Sequence, residues 1–224
     1  MKTFANFLPR VSLVLLIGLG LTPGHSFAQD PQNIQAQDAK RTYKSLVERV
    51  KGGDKAVNFV ELLSAASAWD LAETSNNDAP DRDKMVSAFK NKDYKRAVEL
   101  AEVVLDYEFT NRGLHKATEN AYRQLGAGLK ADFHRDVANQ ILNALLTTGD
   151  GKTVESAYCV QSINEEYLIM NHFGYQVVSQ AYLMSGESSY DVLSGNEGKS
   201  KKPVSLYFDI SGHFKRCVQG HRKE

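Results

Sequence analysis

Charge of one sign, long apolar runs, cysteines and paired histidines are all scarce in this chain. Each scarcity closes off a class of protein. The 224 residues carry 27 basic and 27 acidic side chains. That balance provides no electrostatic footprint for nucleic acid or for an anionic membrane. Lys199 to Lys202 is an exception to the mixing of signs and reads as a solvated loop. The marked apolar run, Val11 to Leu21, is shorter than the roughly 20 residues a bilayer-spanning helix needs. No later segment qualifies, so no membrane insertion is expected. No cysteine stands near Ala28, so the usual lipid attachment of exported bacterial proteins has no acceptor. His115, His134, His172, His213 and His221 form no His-x-x-x-His or Glu-x-x-His pair, which leaves zinc unsupported. No metal and no cofactor are expected.

What is present begins at the N-terminus. Lys2 and Arg10 sit before the apolar run, Pro23-Gly24 breaks any helix, and Ser26-Phe27-Ala28 places small residues where a signal peptidase reads. Residues 1–28 therefore read as a secretory signal. The mature chain is expected to start near Gln29, to be soluble, and to work in the periplasm or outside the cell. Loss of Lys2 and Arg10 leaves it slightly acidic. In an oxidising compartment an even pair of cysteines, Cys159 and Cys217, suggests a disulfide. Such a bond would close a loop of about 60 residues, with a stabilisation ceiling of about 4 kcal/mol in the chain-entropy picture. The alternative is two buried thiols that never meet, because a bridge needs Cα atoms within about 7 Å.

Residues 29–37 are polar and read as a disordered lead-in. Residues 38–148 then follow a helical period. Tyr43, Leu46, Val47 and Val50 make one apolar face, ended by Gly52-Gly53. Phe59, Leu62, Leu63, Ala66 and Trp69 make a second, followed by a loop at Asn76 to Pro80. Four further stripes are headed by Met85, Ala97, Leu114 and Phe133, the last ending at Thr147-Thr148-Gly149. Their short connections predict antiparallel hairpins. Asp93-Tyr94 with Ala97, Ala101 and Leu105 resembles the second helix of a tetratricopeptide repeat. Ala117, Ala121-Tyr122 and Leu125-Gly126 resembles the first helix of the next. Small residues there let helices approach closely. The resemblance stops at Asp93 to Gly126, and Phe109-Thr110-Asn111 replaces the expected proline. A helical hairpin inside a single core is the reading that follows.

After Gly151 the period becomes two. Strands are expected at Tyr158 to Ile163, Tyr167 to Met170, Gln176 to Met184, Tyr190 to Leu193 and Val204 to Ile210. Asn164-Glu165 and Ser185-Gly186-Glu187 read as turns, and Gly195 to Pro203 as a polar loop. The expected fold class is α+β. Helical hairpins over 38–148 pack on an antiparallel meander of about five strands over 149–218, with a tail at 219–224.

Several segments between Ser87 and Ser211 have a common likeness. They are His134-Arg135, Gly149-Asp150-Gly151-Lys152, Glu155-Ser156-Ala157-Tyr158, Glu165-Glu166-Tyr167, Gly174-Tyr175, Gln180, Tyr190-Asp191-Val192-Leu193 and Tyr207-Phe208-Asp209-Ile210. In these the chain resembles a bacterial exported family known as domain of unknown function 4919. The resemblance implies a signal peptide and an α+β build. It assigns no activity to any residue.

No motif establishes a reaction. Gly151-Lys152-Thr153 lacks the earlier glycine of a phosphate loop, because Leu146 stands there, and it follows a helix rather than a strand. Gly149 and Gly151 read instead as a helix end and a turn. Asp150 starts no calcium loop and is expected to bond a backbone N–H of that turn. Glu165 and Glu166 would point to opposite faces of a strand, so a hairpin turn explains them better than a glycosidase pair. Gly186 to Tyr190 misses the nucleophile elbow, and Ser87-Ala88-Phe89-Lys90 lacks the companions of its motif. His134 beside Arg135 could face a helix–sheet junction, although a structural histidine is the plainer reading.

Two functions follow. The first is a non-catalytic exported module that binds a protein or peptide, or supports an envelope assembly. The second is a cryptic hydrolase at the helix–sheet junction. His134, Arg135, Asp150 and Glu166 would then have to converge on one reacting group.

Overall fold

The structure is a computed structural model and describes residues 31–70, 82–198, 200–212 and 214–220. The expected signal segment, the Asn76 to Pro80 loop, Lys199, His213 and His221 lie outside the described residues.

Six helices come first: α1 Pro31–Lys51, α2 Phe59–Asp70, α3 Arg82–Lys90, α4 Tyr94–Leu105, α5 Arg112–Gln124 and α6 Gly128–Leu146. α1 starts earlier than the apolar period at Asp38 implies, so much of the expected lead-in, residues 29–37, is helical. Side-chain caps set the starts of α2, α4 and α5. Asn58 accepts from Val60 N at 3.0 Å, Asp93 from Arg96 N at 3.1 Å and Asn111 from Leu114 N at 3.0 Å. These carboxyl and amide oxygens satisfy N–H groups that a helix start leaves unpaired. Asn111 thus opens α5 where a repeat would carry proline. No helix among the described residues is long and apolar enough to cross a membrane.

The second half is a short strand β1 (Tyr158–Cys159), a helix α7 (Ile163–His172), a hairpin of β2 (Tyr175–Ser185) and β3 (Ser188–Glu197), then β4 (Pro203–Asp209) and a helix α8 (Phe214–Gly220). The fold is α+β, with a mixed sheet of four strands in the order β1-β4-β3-β2. β2–β3 and β3–β4 are antiparallel, and β1 lies parallel to β4. The expected five-stranded antiparallel sheet is corrected to a mixed sheet of four, in which the strand expected at Tyr158 to Ile163 is only Tyr158–Cys159 and lies parallel to β4. The predicted turn at Asn164-Glu165 and the strand at Tyr167 to Met170 are the single helix α7. Glu166, Ile169 and Met170 are its buried residues, a helical spacing. The Glu165 carboxylate accepts from Gln161 N at 2.7 Å, closing the helix start much as a capping box does. A second adjustment is that β3 runs on through Gly195. A Cβ there would sit 2.3 Å from the Gln176 carbonyl oxygen, so glycine lets β2 approach beside the bulge at Val177/Ser179.

The join between the halves follows the sequence reading. A Cβ on Gly149 would lie 2.3 Å from the Ser156 carbonyl oxygen, and Gly151 holds φ +67° against the Tyr158 ring. Glycine alone fits both positions without strain. The Thr148 hydroxyl bonds the Leu145 carbonyl and accepts from Cys159 N at 3.0 Å, tying the end of α6 to β1. Cys159 is bonded to Cys217 of α8, with Cα atoms 5.9 Å apart, so the disulfide is present.

The main core gathers α1, α2, α6, α7, α8 and the sheet around Leu62, Leu63, Ile141, Leu145, Ile169, Leu193 and Phe208. Two smaller clusters hold α3 to α6 together. One is Met85, Leu100, Ala101, Val104, Leu105 and Leu114, and the other Val98, Ala121, Tyr122 and Ala131. Phe109, between α4 and α5, belongs to the main core, and its N–H donates to the Tyr43 hydroxyl at 2.8 Å.

Candidate functional site

The smaller clusters leave a gap between α3 and α5. The sequence periodicity of α3 puts Met85, Val86 and Phe89 on neighbouring turns, and α5 faces them with Leu114, Ala117 and Asn120. Together with Tyr94 they line a groove of about 460 Å³, with Lys90 and Lys92 at its rim. Its small member is Ala117. Where Ala97, Ala101 and Ala121 are buried against neighbouring helices, Ala117 lines open space. Val86 is 39% exposed on the groove. Lys90 and Lys92 make no ion pair among the described residues. The turn that carries them holds Lys92 at φ +59°, fixed by Asp93 N bonding the Ala88 carbonyl at 3.0 Å.

Behind the groove, α5 and α6 bury two histidines. His115 Nδ1 lies 2.9 Å from His134 Nδ1, and His115 Nε2 lies 2.8 Å from the Phe109 carbonyl oxygen. His134 Nε2 lies 3.2 Å from Glu102 Oε1 of α4, which also accepts the Tyr122 hydroxyl at 2.8 Å. Burial holds His115 down at about 4, only partly offset by its bond to Phe109, so the ring is neutral at pH 7. Burial raises Glu102, but its bonds from His134 and Tyr122 outweigh that and leave it below the usual range. Burial, then the Glu102 bond, pushes Tyr122 well up. The array runs from half-exposed Glu102 to a backbone carbonyl. It contains no serine, cysteine or threonine nucleophile, so it can share a proton and position helices.

His134 therefore faces α4 and α5, not the helix–sheet junction. Arg135, the next residue of α6, points to the surface, paired with Asp132 at 2.6 Å and Asp136 at 3.0 Å. Asp150 is taken up by its own turn, as expected. It accepts from Lys152 N at 3.0 Å, Ser156 Oγ at 2.6 Å and Lys152 Nζ at 2.7 Å, which hold it far below the ordinary carboxylate range. Glu166 is buried in the first turn of α7. Burial first, then the neighbouring Asp191 carboxyl of β3, pushes it up to about 7. Its Oε2 has no hydrogen-bond partner among the described residues. Among those residues, no hydrogen bond or ion pair joins any two of His134, Arg135, Asp150 and Glu166.

Sequence reasoning missed Glu102, His115 and Tyr122 as partners of His134, and Asp191 as partner of Glu166. It read Met85, Phe89 and Leu114 as core stripes, and Met85 and Leu114 are buried; the open space beside Val86 and Ala117 was not legible. Among the described residues no group of three or more His, Cys, Asp or Glu side chains is placed to hold a metal ion.

Compared with known proteins, the chain matches no curated protein and no solved structure at a significant level. A family model matches residues 30–218, from the start of α1 into α8. The chain belongs to the family described as a domain of unknown function, DUF4919.

Proposed function

We propose that this is an exported, non-catalytic module that binds a peptide segment in the groove between α3 and α5. The observation that carries the reading is the groove itself: an apolar floor of Met85, Val86, Phe89 and Leu114 under Lys90 and Lys92, which make no ion pair among the described residues. Such a floor suits a short apolar segment, and the lysines select one flanked by Asp or Glu. The likeness of Asp93 to Gly126 to a tetratricopeptide hairpin agrees with a helical pair that offers a groove to a peptide. Export rests on the leader pattern of Lys2, Arg10, Val11 to Leu21 and Ser26-Phe27-Ala28, and a Cys159–Cys217 disulfide suits an oxidising compartment. A hydrolase would need His134, Arg135, Asp150 and Glu166 around one reacting group, and they bond to separate partners.

An array of apolar peptides with acidic, neutral or basic flanks tests the reading. The wild type should retain the acid-flanked set, and Val86→Glu, on the exposed floor, should lose it while folding normally. Retention of none of the sets, or equal retention by Val86→Glu, overturns the groove as the site. N-terminal sequencing of the secreted product should begin near Gln29. An intact Met1 inside the cell overturns export.

A further inference from the structure

The sheet ends in two edges of opposite character. The β1 edge is two residues long, is packed by α8 and is stapled to it by Cys159–Cys217. The β2 edge is eleven residues long and, among the described residues, has a neighbouring strand on one side only, β3. From Ser179 to Ser185 every residue is exposed. The strand Tyr175–Ser185 contains no charged residue and no proline. Open edges in natural sheets are blocked by lysines, prolines, short strands or covering elements, because an open ladder recruits another strand. β2 carries one such device, the bulge at Val177/Ser179, near its beginning. The long stretch beyond it is unguarded.

The exposed side chains say what kind of partner fits. Val178, Tyr182 and Met184 are 68%, 62% and 61% exposed. Tyr182 lies opposite Asp191, and Leu183 opposite Tyr190. Successive residues of a strand alternate faces, so Tyr182 and Met184 lie on one face of the sheet and Leu183 on the other. A helix or groove laid on one face would cover half of these. A strand added at the edge brings cross-strand neighbours to both faces.

We infer that β2 pairs antiparallel with β2 of a second copy of this chain, joining two sheets across a two-fold axis. Under that symmetry the strand faces itself. Because it holds no charge, no like charges meet, and because the partner is the same strand, length and neutrality match along the whole edge. The assembly closes at two copies, since pairing uses up both β2 edges and α8 packs the β1 edges.

Sedimentation equilibrium of the purified protein tests this, together with Ala181→Lys. Position 181 is exposed in the unguarded stretch, and the substitution sets lysines on two facing strands close together. The wild type should be a dimer, and Ala181→Lys a monomer with an unchanged circular dichroism spectrum. Met184→Lys provides a second break if the first variant fails to fold. Amide exchange over 179–185 should slow as protein concentration rises. A wild type that stays monomeric overturns the inference. So does a dimer that survives both lysine variants, or one lost on Val86→Glu and kept on Ala181→Lys.

Discussion

The Nδ1 atoms of His115 and His134 face each other at 2.9 Å, and only one of them can carry the hydrogen between them. The Phe109 carbonyl can only accept, so His115 Nε2 is an N–H. A neutral ring has one N–H, so His115 Nδ1 is the acceptor and His134 Nδ1 donates. His134 Nε2 then faces Glu102 Oε1 at 3.2 Å. Every partner in this line is spoken for. The chain of bonds links α4, α5 and α6 to Phe109, whose ring sits in the main core.

Removing the middle of that line should therefore cost more than one hydrogen bond. His115→Leu leaves the Phe109 carbonyl and His134 Nδ1–H buried without partners, at about 1–3 kcal/mol each, so the expected loss is about 2–6 kcal/mol. Arg135→Ala is the contrast. Its pairs with Asp132 and Asp136 are on the surface, where solvent screening leaves an ion pair little to contribute, so the loss should be small. Urea denaturation at pH 7 ranks the two. Equal losses would show that His115 is not held as described.

His115 also makes stability depend on pH in a definite direction. Its folded value, about 4, lies below the ordinary 6.5, so the unfolded chain binds more protons between those limits. The stabilisation is present above pH 6.5 and is lost as pH falls through 4, by about 3 kcal/mol at most. Glu166 slopes the other way. Its folded value is raised from 4.5 to about 7, so the folded state holds the proton longer. That contribution is present below pH 4.5 and is lost as pH rises through 7, again by about 3 kcal/mol at most. The two largely cancel between pH 4.5 and 6.5.

Single substitutions should uncover each slope. Glu166→Gln cannot ionise beside Asp191, so it should raise the melting temperature at pH 8 and leave it nearly unchanged at pH 4.5. The profile that remains in this variant should fall towards acid, driven by His115. Melting curves at half-unit steps from pH 4 to 8 read both. A Glu166→Gln protein that is no more stable than wild type at pH 8 would remove the buried Glu166 carboxyl beside Asp191 as an energetic feature.

These two pairs also mark where sequence reading ends. Tyr43, Leu46, Val47 and Val50 could be placed in the core because one helix face repeats them at fixed spacing, and all four are buried. Leu206 and Phe208 followed from alternation in β4, with Tyr207 turned to the other face. Gly149 and Gly151 followed from turn chemistry. His115 and His134 sit on different helices, and their separation along the chain is set by the loop between α5 and α6, so no spacing announces them. Tyr167 to Met170 is a short apolar run, which a helix and a buried strand share. The groove was hidden for a related reason. Met85 and Leu114 read as core and are buried, but an apolar stripe has the same pattern whether the neighbouring helix covers all of it or leaves residues such as Val86 open.

The disulfide provides the last test, because its two ends differ in how else they are held. Cys159 sits in the sheet at β1, fixed by Thr148 on its N–H as well as by the bond to Cys217. Cys217 sits in α8, which also packs Phe214 and Val218 into the main core. Reduction opens a loop of 58 residues in the unfolded chain and removes up to about 4 kcal/mol. The apolar contacts of α8 remain. Cys159→Ser with Cys217→Ser should therefore fold, with α8 still docked, and unfold at lower urea. Adding Phe214→Ala should cost a further 3–5 kcal/mol or so, the usual penalty for emptying a buried aromatic site. Amide exchange in α8 reads the difference directly. Fast exchange in the serine pair alone would mean that the bond, and not the packing of Phe214, holds this helix against the sheet edge.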